Sequence, residues 1–145
     1  MACIIARIAG KPVTCAWWMP VANEFIRTEA RLESDRRLLA AIAAIVDHAS
    51  EHAGMADARR QALSLAALQT CRIAWPALNG REPTVEVTCD QYGDRVEVVI
   101  QGPRAADPGT EARLKELQKQ IDRLTTENHQ DSLRITLVEY LSPRQ

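Results

Sequence analysis

Two runs of alternating apolar and polar residues lie in the second half of the chain, separated only by residues 91–94. The apolar positions are Val85, Val87 and Cys89 in the first run and Val96, Val98 and Ile100 in the second. Alternation with a period of two gives a strand one buried face, and two such runs joined by a short turn form a β-hairpin. The pattern therefore predicts an antiparallel sheet with one apolar face.

Further strands are predicted on both sides of this hairpin. Residues 26–32 alternate in the same way, and a closing strand is predicted around Leu133, Ile135, Leu137 and Leu141. The segment from Ala2 to Ala9 is compatible with a short strand. It lies in an N-terminal extension of uncertain structure, residues 1–23. Trp17 and Trp18 in this extension are either an extra contact for a partner or part of a segment packed on the domain.

Two helices are predicted between the first of these strands and the hairpin. Ser34 or Asp35 can cap the first helix, and Gly54 supplies a left-handed stop after it. Asp57 is the predicted N-cap of the second helix, which covers residues 58–75 and ends before Pro76. Because this second helix is apolar on most sides, we expect it to be buried on most sides.

A third helix is predicted with Thr110 as its N-cap. It carries one apolar stripe, formed by Leu114, Leu117, Ile121 and Leu124. The stripe either packs on the sheet or forms a coiled-coil seam, which would make the chain an oligomeric structural subunit. An amphipathic helix needs an apolar sheet face to cover. The order of elements therefore predicts an α+β fold. We expect a two-layer sandwich with a mostly antiparallel sheet and about three helices on one face, formed by residues 24–145 as a single domain.

Composition argues against several classes of partner. The net charge is −1 and the chain has one Phe and two Tyr, so neither a broad basic surface nor an aromatic stacking platform for nucleic acid is expected. No apolar run approaches the roughly 20 residues of a membrane span. The four cysteines form no C-x-x-C pair, and they are read either as two disulfides or, in preference, as reduced and mostly buried thiols. We therefore expect a cytoplasmic protein that binds neither nucleic acid nor membrane.

One short motif suggests metal chemistry. Residues 48–52 read H-x-x-E-H, and the spacing puts His48 and His52 on one face of a helix, as in zinc hydrolases. No downstream helix offers an obvious third ligand, so the favoured interpretation is a partly solvated helix end. The chain contains neither the G-x-S-x-G motif of serine hydrolases nor the Gly-rich phosphate loop G-x-x-x-x-G-K-[ST].

Four segments between residues 24 and 141 carry a resemblance to a known family. They are LLAAIAAIVDHASEHAGM, ALSLAALQTCRIAWPALNG, VEVTCDQYGDRVEVVIQGPRAADP and LRITLVEYL. In this order they are similar to the first helix, the helix that carries the Mg²⁺ site, the hairpin that enters the adenine loop and the closing strand of the short anti-sigma serine kinases, which belong to the GHKL (Bergerat-fold) ATPase family. The resemblance implies the Bergerat scaffold, and an unrelated α+β sandwich is the alternative.

The family's motif positions are occupied by other side chains. The E-x-x-x-N motif of the second helix, which supplies a catalytic Glu and a Mg²⁺ ligand, falls on Gln69 and Ile73. The adenine-binding D-x-G motif falls on Ile100, Gln101 and Gly102, and the Gly-rich lid is reduced to Gly109. The resemblance thus implies a vestigial nucleotide site at Ile73, Ile100 and Gly102, with no catalytic residue, no metal ligand and no cofactor.

Two functions follow from the resemblance. The first is a non-catalytic regulatory protein that binds a sigma factor or an anti-anti-sigma protein of the STAS type, with a homodimer as a further expectation. The alternative is a diverged but active serine protein kinase that uses ATP and Mg²⁺. Because isoleucine has no lone pair for a hard cation, the first function is the one predicted.

Overall fold

The computed structural model describes residues 3–8, 11–12, 26–32, 39–75, 85–104 and 107–142. Seven strands form one sheet in the order β2-β1-β3-β4-β5-β7-β6, and every neighbouring pair is antiparallel. The strands are β1 (Cys3–Ile8), β2 (Lys11–Pro12), β3 (Ile26–Leu32), β4 (Val85–Gln91), β5 (Arg95–Pro103), β6 (Arg123–Asn128) and β7 (Ser132–Tyr140). The short strand predicted near the N-terminus is present as β1, paired with β3.

The described part of the chain also contains three α-helices. They are α1 (Leu39–His52), α2 (Asp57–Ala74) and α3 (Thr110–Leu117), the last followed by a 3₁₀ turn at Gln118–Gln120. Helix α1 packs on β4 and β5, α2 on β5 and β7, and α3 on β6. The architecture is therefore the predicted α+β sandwich, with an antiparallel sheet in one layer and the helices in the other.

The core lies between the two layers, and the strand periodicity accounts for it. The register aligns Cys89 with Val98, Val98 with Leu137, and Leu137 with Leu124. All four side chains are buried on the helix side of the sheet. From α1 and α2, the fully buried side chains of Ile42, Val46 and Leu63 meet this face. The hairpin predicted from alternation is thus confirmed, as is its buried face.

The predicted end of helix α1 at Gly54 is confirmed in detail. Gly54 has φ = 84°, a left-handed conformation that only glycine adopts without strain. The Gly54 N–H donates to Glu51 O and the Met55 N–H donates to Ser50 O, each over 3.0 Å. These two bonds form a Schellman motif, which satisfies the last free carbonyls of α1. The side chain of Met55 is then buried in the core, and the chain turns into α2.

Two predicted N-caps were wrong by one residue. Asp57 is the first residue of α2, and the N-cap is Ala56. Thr110 is likewise the first residue of α3 after the N-cap Gly109, and its hydroxyl caps nothing. At α3 the carboxylate of Asp107 provides the local bond instead, since its Oδ1 accepts from Gly109 N–H over 2.8 Å. A carboxylate near a helix N-terminus remains favourable even without a capping bond.

The extent of the third helix was also predicted wrongly. Helix α3 ends at Leu117, and Leu124 lies in strand β6, which the sequence analysis missed. Leu114, Leu117, Ile121 and Leu124 are all buried, as the stripe required. The last two are buried from a turn and a strand, because pairing of β6 with β7 replaces helical hydrogen bonds after Gln120. A stripe of buried residues by itself does not show whether the backbone is a helix, a turn or a strand.

The expected burial of α2 is correct on its inner side only. Leu65 is 48% exposed, and it is the one large apolar side chain so exposed in the described part of the chain. The predicted roles of Ser34, Asp35, Pro76, Trp17 and Trp18 concern positions outside the described residues. Within the described residues, no helix combines the length and the apolar character needed to cross a membrane.

Candidate functional site

Four of the positions that the family resemblance singles out lie on two neighbouring elements. Gln69 and Ile73 stand one turn apart on α2, both half-buried, and Ile73 packs against the core. Ile100 and Gly102 lie on β5, where Ile100 is completely buried and Gly102 is also buried. Because α2 packs on β5, the C-terminal ends of both elements come together. The structure thus brings these four positions together at one end of the sandwich.

A side chain missed by the sequence analysis fills the space between these ends. Trp75 directly follows α2, is only 5% exposed, and lies against Gly102. A Cβ atom at position 102 would come within 2.6 Å of Trp75 Cε2, which is far inside van der Waals contact. The indole Nε1–H donates to Pro103 O over 2.7 Å, so the polar atom of the ring is satisfied. Only glycine fits at position 102, because the indole lies too close to leave room for a Cβ atom.

The surroundings of Trp75 offer little chemistry. Cys71, one turn earlier on α2, is free and buried, and burial raises the pKa of its thiol to about 12. A thiol with so high a pKa is a poor nucleophile and a poor metal ligand at neutral pH. Ile73 and Ile100 have no polar side-chain atoms, and Gln69 cannot accept a proton near neutrality. The contact between α2 and β5 is thus an apolar packing site with one internal hydrogen bond.

The two histidines of the H-x-x-E-H motif are exposed at the end of α1. The ring of His52 is engaged with the sheet, since its Nδ1 lies 3.1 Å from Gln91 Oε1 on β4. Across the described residues, no three His, Cys, Asp or Glu side chains stand close enough together to hold a metal ion. The motif therefore contributes a contact between α1 and β4, and zinc hydrolysis has no third ligand in this part of the chain.

A concave feature lies at the N-terminus of α3. It is a cleft of about 150 Å³, lined by residues of α3, β6, β7 and the segment after β5. Thr110 lines it and is only 5% exposed, and its Oγ1 has no hydrogen-bond partner among the described residues. Arg104, Asp107 and Glu111 also line the cleft, so its charges are of both signs. Gly109, which the sequence resemblance aligns with the Gly-rich lid, directly precedes α3.

A scan of protein-family models and a search of curated proteins both found no match to this chain.

Proposed function

We propose that this chain is a non-catalytic regulatory protein, similar to anti-sigma factors, that binds a protein partner and does not turn over ATP. The partner would be a sigma factor or an anti-anti-sigma protein of the STAS type, and the setting would be the bacterial cytoplasm. The observation that carries the proposal is the packing of the Trp75 indole on Gly102. The partner class rests on the family resemblance of residues 24–141.

By the resemblance, Gly102 falls on the last position of the adenine-binding D-x-G motif, and the bicyclic ring that lies against it in this chain is the indole of Trp75. A purine could reach Gly102 only if Trp75 moved out. Truncating a buried Trp to Ala costs about 3–5 kcal/mol, which sets the scale for moving the indole out of its packing. A cost of about 3 kcal/mol lowers affinity roughly 100-fold, because each 1.4 kcal/mol is a factor of ten.

The phosphate end of the vestigial site is equally altered. Phosphoryl transfer depends on Mg²⁺ that neutralises the phosphates and on a carboxylate that orients the attacking group. The matching positions on α2 hold the neutral Gln69 and the apolar Ile73. Neither side chain is an anionic oxygen ligand, which Mg²⁺ prefers. This combination supports binding without catalysis.

The outer side of α2 supports binding to a protein. Leu65 is 48% exposed there, one turn from the exposed Gln61. Leu68 and Arg72 continue the same side of the helix, half-buried and exposed respectively. An apolar centre with a polar rim is the usual composition of a protein interface. We assign the partner contact to this stripe, which consists of Gln61, Leu65, Leu68 and Arg72.

Calorimetry with Mg²⁺-ATP and Mg²⁺-ADP tests the nucleotide half of the proposal. We expect no binding heat at concentrations that would detect millimolar affinity, and no rise in Tm. Clear binding would contradict the proposal and favour the alternative, an active ATP-dependent serine kinase. The double variant Gln69→Glu, Ile73→Asn then shows whether restored motif residues add phosphate affinity.

Pairwise mixing with purified sigma factors and STAS-domain proteins from the same bacterium tests the partner half. A stable complex is expected with one of them, and Leu65→Glu should weaken it at least tenfold. The matched control is Ala112→Glu, which places the same charge on an exposed position of α3. If no such protein binds, or if both variants behave alike, the partner assignment is wrong.

A further inference from the structure

Among the described residues, strand β6 forms one end of the sheet, and it lacks several of the features that usually keep an edge strand from pairing. Its six residues pair with β7 in an uninterrupted register, so no bulge twists it away. It contains neither Lys nor Pro. At the other end of the sheet the last strand is β2, which has only two residues, Lys11–Pro12. Short length, Lys and Pro are common protections of edges, and β6 has none of them.

Hydrogen bonds on both sides of β7 show which backbone groups of β6 point outward. The His129 N–H donates to Ser132 O over 2.9 Å, so this pair faces inward across the hairpin. On the other side of β7, the Leu141 N–H donates to Asp94 O over 2.9 Å. This second bond independently gives the same alternation of bonded and non-bonded positions along β7. Antiparallel pairs alternate between bonded and non-bonded. Three residues of β6 therefore direct their N–H and C=O groups away from β7: Leu124, Thr126 and Asn128.

The side chains of β6 that face away from the helices are Arg123, Thr125 and Glu127. All three are exposed, with opposite charges at the two ends and an uncharged residue in the centre. If a second copy lies antiparallel with Thr125 opposite Thr125, Arg123 of each copy stands opposite Glu127 of the other. In the same register Leu124 stands opposite Thr126, so the outward backbone groups meet. Moving the centre to Thr126 would instead put Arg123 opposite His129.

The charge pattern of the sheet continues across such a pairing. Along one row of this face, Arg31 pairs with Glu86, and the row ends with Arg134 beside Glu127. Neutral Gln101 lies between Glu86 and Arg134, and the signs of the charged residues alternate along this row. Arg123 of a second copy would stand next to Glu127 and extend the alternation. Opposite charges directly across an antiparallel pair are favourable, and like charges are not.

We propose that the chain self-associates through β6 as a two-fold dimer, in the antiparallel register centred on Thr125. The dimer extends the sheet across the axis and pairs Arg123 with Glu127 twice. It is independent of the proposed partner contact, which lies on α2. A strand of six residues forms a small interface compared with the roughly 1,200 Å² of a stable one, so we expect a weak dimer. Exposed ion pairs are screened by salt, so dimerisation weakens as ionic strength rises.

Analytical ultracentrifugation of the full chain at 10 µM to 1 mM tests the association. The average mass should rise from 16.1 kDa towards twice that value. Arg123→Glu and Glu127→Arg should each weaken dimerisation about tenfold, and the combined charge swap should restore it. Thr126→Pro, which removes an outward N–H, should abolish the dimer, whereas Thr126→Ala should retain it. A monomer at every concentration, or a dimer indifferent to both single reversals, overturns the proposal.

Disulfide cross-linking tests the register separately. Thr125 is a non-bonded position at the axis, where the two Cα atoms would lie about 4.5 Å apart, within the range that a disulfide spans. In a background with Cys3 and Cys15 changed to Ser, Thr125→Cys should cross-link the dimer on mild oxidation. Glu127→Cys should not, because its counterpart lies four residues away along the pair. Equal cross-linking of the two variants rules out this register.

Discussion

The guanidinium of Arg59 and the carboxylate of Glu139 form an ion pair of 3.0 Å between the first turn of α2 and the end of β7. Arg59 also lies 2.9 Å from Asp122 Oδ2, and the second oxygen of Glu139 accepts from the Asp122 N–H over 2.9 Å. Glu139 is only 5% exposed, so its charge depends on these partners. The network ties α2, the start of β6 and β7 together.

Glu139→Gln should make stability less dependent on pH. Burial, the largest cause, raises the pKa of Glu139 above its ordinary value of 4.5, while the Asp122 N–H and Arg59 oppose this rise. A carboxyl with a raised folded pKa favours folding below pH 4.5 and loses that contribution as pH rises through the folded pKa. The free energy of unfolding of the native chain should therefore fall relative to that of the variant above pH 4.5.

Urea unfolding of both proteins between pH 4 and pH 8 measures this difference. A one-unit rise of the pKa corresponds to about 1.4 kcal/mol. The difference should level off once the carboxyl is fully ionised in the folded state. If the native chain instead gains stability relative to Glu139→Gln as pH rises, the ion pair with Arg59 outweighs the burial of the carboxylate.

Gly102→Ala should destabilise the fold by about 1–3 kcal/mol, since the new methyl group overlaps the Trp75 ring. Gly93→Ala is the matched control, because a Cβ there meets no atom within 4 Å. Chemical denaturation gives both free energies. In a Trp75→Ala background the cost of Gly102→Ala should disappear, and the double-mutant cycle measures that coupling. An equal cost in both backgrounds would show that the indole does not determine the requirement for glycine.

The contact between Trp75 and Gly102 also shows where sequence reasoning stops. The spacing of apolar residues and the positions of turn residues were enough to predict the hairpin, the end of α1 at Gly54 and the strands and helices of the sandwich. Each of these depends on residues only a few positions apart. The apposition of Trp75 and Gly102 joins residues far apart in the chain, and an isolated Gly in a strand only hints at a close approach. Strand β6 was missed for a related reason. Leu124 continues the apolar stripe of a helix in the sequence, and only the pairing with β7 shows that its backbone is a strand.

The thiols of Cys71 and Cys89 should be inert in the folded protein. Both are buried and free, and burial is the main cause that raises each pKa to about 12. In a background with Cys3 and Cys15 changed to Ser, a thiol reagent at pH 8 should react only as fast as the protein unfolds. Both thiols should react at once in guanidinium chloride. Rapid reaction of either thiol without denaturant would mean that the core opens locally.

Thr110→Val should leave stability unchanged or raise it by up to about 1 kcal/mol. The Thr110 hydroxyl is buried without a partner among the described residues, and replacing an unpaired polar group by an apolar group of the same shape removes a desolvation cost. Thr70→Val is the comparison, because the Thr70 hydroxyl donates to Ala66 O over 2.8 Å and its loss should cost about 1 kcal/mol. Thermal and urea unfolding measure the change in the free energy of unfolding of each variant. The two changes can be compared directly because valine and threonine have similar helix propensities. If Thr110→Val costs as much as Thr70→Val, the Thr110 hydroxyl has a hydrogen-bond partner in solution, and the cleft beside α3 is where that partner would lie.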